Sequence, residues 1–122
     1  MKVLITGGAG FIGTNYTYFH VAKYPEDKVL VLDNLTYAGN LENLRSLIDK
    51  GRIKFVQGNI CDKNLIKDLF EDEKFDLVIN FAAETHVDRS ILDPEIFVKT
   101  NVLGTQNLLE ACRLTGVKRF HQ

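Results

Sequence analysis

Between Thr6 and Gly13 the chain reads TGGAGFIG, which satisfies two glycine spacings at once: G-x-x-G-x-x-G through Gly7, Gly10 and Gly13, and G-x-G-x-x-G through Gly8, Gly10 and Gly13. Such spacing suits a backbone that passes close to a phosphate. Gly7 would make the tight turn, Gly10 would leave room for a pyrophosphate, and Gly13 would let a helix lie against a strand. The amides of Phe11 and Ile12, at the start of that helix, would have no partner within it and would meet the phosphate charge. Twenty residues beyond Gly13 stands Asp33, an acceptor for both hydroxyls of a ribose and a repellent for a 2′-phosphate. Alone, the glycines could serve only a tight turn, and Asp33 could merely open a turn with Asn34. In combination, with a strand before and a helix after, they point to a bound dinucleotide and favour NAD over NADP.

A second polar stretch, Asn80-Phe-Ala-Ala-Glu-Thr-His-Val-Asp-Arg-Ser-Ile91, follows what reads as the fourth strand. Ala82 and Ala83 are small where a dinucleotide would cross a sheet, and Glu84, His86 and Asp88 alternate beyond them. Three such groups raise the question of a divalent metal. No second ligand cluster accompanies them and their charges can pair with Arg89, so no metal is expected. A loop of solvated charges is the plainer alternative. Cys61 and Cys112 have no metal-like spacing, and reduced thiols in a cytoplasm are the expectation.

Holding these residues in place takes alternating strands and helices. Short β-branched runs predict strands over 3–6, 29–33, 53–57 and 77–81, with a fifth beginning at Lys118. Helices are predicted over 10–23, 40–50, 63–73 and 94–115. Asn40, Asp62 and Asp93 stand as N-caps, Pro94 occupies a first helical position, and Gly51 and Gly116 follow helix ends. Near-continuous apolar strands are buried on both faces, so the sheet is predicted parallel. Right-handed crossovers then give an α/β, Rossmann-type doubly wound sheet of order 3-2-1-4-5, its ligand crevice at the carboxyl ends of strands 1 and 4.

Composition narrows the remaining classes. A length of 122 residues, 45% hydrophobic and 25% charged, suits one domain with a single core. Fifteen basic against sixteen acidic residues give a net charge of −1 without a basic block, which argues against nucleic acid or an anionic membrane as partner. The opening MKVLIT is too short for the apolar core of a signal peptide, and no run approaches a membrane span. A soluble cytoplasmic protein is expected.

The chain resembles the extended short-chain dehydrogenase/reductase family, and within it the nucleotide-sugar 4,6-dehydratases. The likeness rests on TGGAGFIG (6–13), DNLTYAGNLENL (33–44), the ICD after Asn59 (60–62), NFAAETHVDRSI (80–91) and KTNVLGTQNLLEA (99–111). It runs over essentially the whole chain and about the first third of a family member. The resemblance implies NAD contacts from Phe11 and Ile12 on the pyrophosphate, and from Asp33, Asn34, Leu35 and Thr36 around the adenosine ribose. Asn59 and Ile60 would flank the adenine. Phe81, Ala82, Ala83, Glu84 and Thr100 would lie along the nicotinamide half, and Thr85 would touch the sugar, with dTDP-glucose the substrate implied. Family members usually carry Asp where Asn59 stands and Ser where Thr85 stands. The first change removes a charge near the adenine amino group; the second adds a methyl in the sugar pocket.

The chemistry implied oxidises the sugar at C4, eliminates water across C5 and C6, and returns the hydride to C6. It needs a Tyr-x-x-x-Lys pair and an acid pair after the fifth strand. Tyr24-Pro-Glu-Asp-Lys28 has the spacing, but Pro25 ends the helix that would align the two, and the first helix returns Tyr24 to the wrong edge of the sheet. No catalytic residue is therefore assigned. Because GVKRFHQ reads as a strand getting under way, the expectation is an incomplete NAD-binding domain over 1–122, catalytically inactive alone and without its substrate domain, and the resemblance implies a homodimer for the complete protein. Other epimerases, dehydratases or reductases of the family, a non-catalytic dinucleotide-binding module, and a scaffold with an empty crevice remain as alternatives.

Overall fold

The computed structural model describes residues 1–36, 39–83 and 91–122. Five parallel strands form one sheet of order β3-β2-β1-β4-β5: β1 (Lys2–Thr6), β2 (Lys28–Asp33), β3 (Ile53–Gln57), β4 (Leu77–Asn80) and β5 (Arg119–His121). The order is the one predicted. Alternation along the strands divides the core between the two faces. Val3, Ile5, Val29 and Val31 face Val21 of α1 (Phe11–Lys23) and Leu47 of α2 (Arg45–Asp49). Leu4, Leu30, Leu32 and Val78 face Ile66 and Phe70 of α3 (Lys63–Glu73), and Leu108 and Ala111 of α5 (Thr105–Thr115). Val3, Leu4 and Ile5 are all fully buried, which is why β1 carries no polar residue between Lys2 and Thr6: each such side chain taken out of water contributes about 1.5–3 kcal/mol.

The predicted caps operate. Asn40, Asp62 and Asp93 accept from the amides of Glu42, Leu65 and Ile96 at 3.0, 3.1 and 3.3 Å. Gly116 ends α5 at φ +76, where a side chain would be strained. Two predicted helices are subdivided. The 40–50 helix opens as a 3₁₀ turn (Leu41–Leu44) before α2, because Asn40 N and Asn43 Nδ2 both donate to Ala9 O, at 3.1 and 3.2 Å. The 94–115 helix consists of α4 (Pro94–Val98), a π-helical stretch (Lys99–Gly104) and α5. Among the described residues no helix is long and apolar enough to cross a membrane.

At the amino-terminal edge of the sheet, charge ties the chain start to the turn between α1 and β2. Asp27 Oδ1 accepts from the Met1 ammonium at 2.9 Å, and Asp27 Oδ2 lies 2.9 Å from His20 Nε2. Burial alone would push the Asp27 carboxyl up, but the hydrogen bonds from the ammonium and from His20 outweigh it and hold the pKa below its ordinary value of 3.8. A carboxyl depressed in the folded state stabilises the fold above its unfolded pKa, and that contribution is lost as pH falls through the folded one. Asp27→Asn is accordingly expected to flatten the loss of stability below about pH 4. Urea titrations of parent and variant between neutral and acid pH check this, and identical acid slopes would remove the cluster from the account.

Candidate functional site

The carboxyl ends of β1, β2 and β4 are brought level by the register, with Thr6 opposite both Leu32 and Asn80. Ligands of doubly wound sheets sit outside such ends, where the strand order reverses. The cavity there is lined by Gly7, Gly10, Asp33, Asn34, Thr36, Asn59, Ile60, Phe81, Ala82, Ala83 and Thr100 of the predicted set, joined by Leu32, Gly39, Gly58 and Ile96. Phe11, Ile12, Gly13 and Leu35 are not among the lining residues. Glu84 and Thr85 lie outside the described residues, as do His86, Asp88 and Arg89.

Backbone hydrogen bonds hold the turn of the glycine loop. Gly7 N donates to Leu32 O at 2.8 Å and Gly10 N to Gly7 O at 3.2 Å. A Cβ on Gly7 would stand 2.5 Å from Ala82 N, and one on Gly13 would stand 2.1 Å from Gly7 O. Both glycines are therefore places where two backbones touch. Gly10 caps α1 with no side-chain hydrogen bond, and the first turn carries no acidic residue. Phe11 and Ile12 point their side chains outward, 83% and 67% exposed. Among the described residues the helix thus begins with unpartnered amide donors and no acidic side chain in its first turn, beside the cavity, a place for an anion.

Asp33 is only 9% exposed. Its Oδ2 accepts from Ala9 N at 2.9 Å and its Oδ1 from Leu35 N at 2.8 Å. The turn reading and the ligand reading of Asp33 are thus compatible: the carboxylate braces the loop and still holds free lone pairs for hydroxyl donors. Leu35 takes φ +55 to reach it, a left-handed conformation that costs a residue with a Cβ about 1–2 kcal/mol. Such strain persists where the surroundings impose it.

The far wall depends on the π-helical stretch. Gly104 lies against Ile60, where a Cβ would come 2.5 Å from Ile60 Cδ1. Asn107 Nδ2 donates to Ile60 O at 3.0 Å, and Cys61 Sγ to Lys99 O at 3.1 Å. These bonds set Ile96 and Thr100 across from residues 58–60. Both cysteines are free. Burial raises the Cys61 thiol, the Lys99 charge opposing, and pushes Cys112 to about 11, so neither is a nucleophile at neutral pH.

Three positioning residues carry no local sequence signal. Ala9, an unremarked position inside the glycine motif, anchors the loop through both its backbone groups. Asn43 reaches it from the 3₁₀ turn. Buried Asn80 accepts from Thr6 Oγ1 and from Ala82 N, the latter at 3.1 Å, while its Nδ2 donates to Gln122 Oε1 at 3.0 Å. It thereby joins three strand ends under the cavity. Tyr24 and Lys28 are at the other edge: the Tyr24 ring lies tilted against that of His20, centroids 4.9 Å apart, and Lys28 opens β2 opposite Lys2. A strand's length, roughly 17–20 Å, separates them from the cavity.

Known proteins share this fold. A dTDP-glucose 4,6-dehydratase of Mycobacterium tuberculosis is 49% identical over 121 residues, which are 99% of this chain and 35% of that protein. The crystal structure of DesIV, the dTDP-glucose 4,6-dehydratase of Streptomyces venezuelae, solved with NAD bound, superposes with a TM-score of 0.90 at 45% identity, over 98% of this chain and 38% of that one. The UDP-glucose 4-epimerase of Thermus thermophilus, in complex with NAD, gives a TM-score of 0.86 at 38% identity, over 98% and 36%. The chain spans about a third of the length of the curated relatives it matches. A single family model accounts for residues 4–122, glycine loop, crevice and helices alike, and by that match the chain belongs to the GDP-mannose 4,6 dehydratase family.

Proposed function

We propose that residues 1–122 are the NAD-binding portion of a nucleotide-sugar 4,6-dehydratase acting on dTDP-glucose. The observation that carries this is the joining of an uncapped, acid-free helix start to a braced Asp33 across one cavity. The pyrophosphate would take the amides of Phe11 and Ile12, and the adenosine ribose would take Asp33, with Asn34, Leu35 and Thr36 around it. Asn59 and Ile60 would flank the base. Phe81, Ala82, Ala83, Glu84 and Thr100 would follow the nicotinamide half, and Thr85 would meet the sugar. Reversible hydride acceptance is the chemistry such a cofactor supplies, and it permits oxidation at C4, loss of water across C5 and C6, and reduction at C6. The name and bound NAD of the Streptomyces venezuelae structure support the reading.

The Thermus thermophilus likeness favours a second reading, a nucleotide-sugar epimerase on the same NAD scaffold. With the complete protein, a 4-keto-6-deoxy product from dTDP-glucose supports the first and an epimerised sugar the second. The complete protein is further proposed to be a cytoplasmic homodimer of carbohydrate biosynthesis, a dimer being supported by the exposed Val98, Val102, Leu103 and Leu109.

Calorimetry on the chain tests the cofactor directly. Asp33→Ala is expected to weaken NAD by about 1–3 kcal/mol and to narrow its advantage over NADP. The same variant leaves the buried Ala9 amide without its acceptor, so stability should fall by about 1–3 kcal/mol as well. A fall in stability with an unmoved NAD:NADP ratio would leave Asp33 as a loop brace alone.

A further inference from the structure

Ala9 is fully buried, and both of its backbone groups are engaged. Its N–H donates to Asp33 Oδ2 at 2.9 Å, and its carbonyl accepts from Asn40 N and from Asn43 Nδ2, at 3.1 and 3.2 Å. A carbonyl can only accept, so this contact fixes the NH₂ end of the Asn43 amide against Ala9. The peptide that carries this carbonyl ends in the Gly10 N–H, which donates to Gly7 O at 3.2 Å. Gly10 has no Cβ, so its φ of −76 is held by these bonds and not by sterics. The next amides are those of Phe11 and Ile12 at the start of α1.

Asn43 belongs neither to the glycine loop nor to the cavity lining. It is an exposed residue of the 3₁₀ turn, where its N–H donates to Asn40 O at 3.1 Å and its carbonyl accepts from Tyr18 Oη at 3.1 Å. Its side chain is what reaches the loop, across 34 residues of chain. We propose that Asn43 is a positioning residue that preorganises the glycine turn for an anion by clamping the Ala9–Gly10 peptide. The inference rests on the dinucleotide reading above. Ordering a loose peptide at the moment of binding subtracts from affinity, whereas a peptide clamped in the free chain subtracts nothing. Without the Asn43 donor, Ala9 O keeps the Asn40 amide alone, and Gly10 regains a freedom that only glycine has.

The test compares the parent with Asn43→Ala, a change at an exposed position that leaves the core intact. Tyr18→Phe is the control: it loosens the same 3₁₀ turn from α1 and leaves the Ala9 bond in place. In the free chain, amide hydrogen exchange read by NMR is expected to be about threefold to tenfold faster at Gly10 in Asn43→Ala, the scale of one neutral hydrogen bond. Gly7, whose amide is bound to Leu32 O at 2.8 Å, should not change. NAD affinity by calorimetry should fall by a similar factor, and added NAD should restore the protection of Gly10. An unmoved Gly10, equal acceleration at Gly7 and Gly10, or an unmoved NAD affinity overturns the proposal, as does the same effect from Tyr18→Phe. A parent that binds no NAD is a different result: it removes the cofactor reading, and the exchange rates, measured without ligand, still decide whether Asn43 clamps the turn.

Discussion

Gly7→Ala is expected to destabilise the fold by about 2–5 kcal/mol, adding the roughly 1–2 kcal/mol of a left-handed residue bearing a Cβ to the roughly 1–3 kcal/mol of overpacking. Gly7 has φ +69, and the new carbon would stand 2.5 Å from Ala82 N and 2.6 Å from the Phe81 carbonyl carbon. Those neighbours are backbone of the segment leaving β4, so no side chain can rotate aside to make room. Against a total stability of about 5–15 kcal/mol for a domain, the change is large. Gly116→Ala serves as the control, since Gly116 shares the positive φ, at +76, but its Cβ would meet nothing within 4 Å. Thermal and urea melts followed by circular dichroism should show a mild loss for Gly116→Ala and a much larger one for Gly7→Ala. Equal losses would mean that the conformational term alone matters and that the contact with β4 yields easily.

The second large effect is on binding and should leave the fold in place. Gly10 has φ −76 and ψ 178, extended backbone open to any residue, so Gly10→Val introduces no strain of the Gly7 kind. Its isopropyl group would instead stand over the uncapped start of α1, where the amides of Phe11 and Ile12 are offered to an anion. Losing one or two charge-assisted hydrogen bonds corresponds to about 3 kcal/mol, roughly a hundredfold in NAD affinity. Calorimetry should register that loss while the circular dichroism spectrum stays that of the parent. Unchanged NAD affinity in a folded Gly10→Val chain would move the pyrophosphate away from this helix.

Comparing the two glycines shows what kind of information the motif holds. Both belong to one spacing pattern, and the pattern alone assigns them similar work. In the folded protein Gly7 is required by the backbone that leaves β4, whereas Gly10 has an extended conformation open to any residue and lines the cavity. Asp33 behaves likewise. Its distance from the glycines marked it for a ribose, while its bonds to Ala9 and Leu35 make it equally a part of the loop's support.

Sequence by itself determined the five strands, their parallel order, the caps at Asn40, Asp62 and Asp93, and Gly7, Gly10, Asp33, Ala82 and Ala83 of the cavity lining, the resemblance adding Asn34, Thr36, Asn59, Ile60, Phe81 and Thr100. These are legible because they depend on neighbours within a few positions: a β-branched run buried on both faces, an acceptor before a helix, a glycine spacing between strand and helix. Tertiary structure alone decided the rest. The π-helical turn at 99–104 and the 3₁₀ entry to α2 arise where helices dock on Ile60 and on the carbonyl of Ala9. Thr6 and Asn80 meet across 74 residues of chain, and Asn80 and Gln122 across 42. No local propensity encodes a bond between residues so far apart, since its strength depends on a partner that only the closed sheet brings within reach, out of water and with nowhere else to bond.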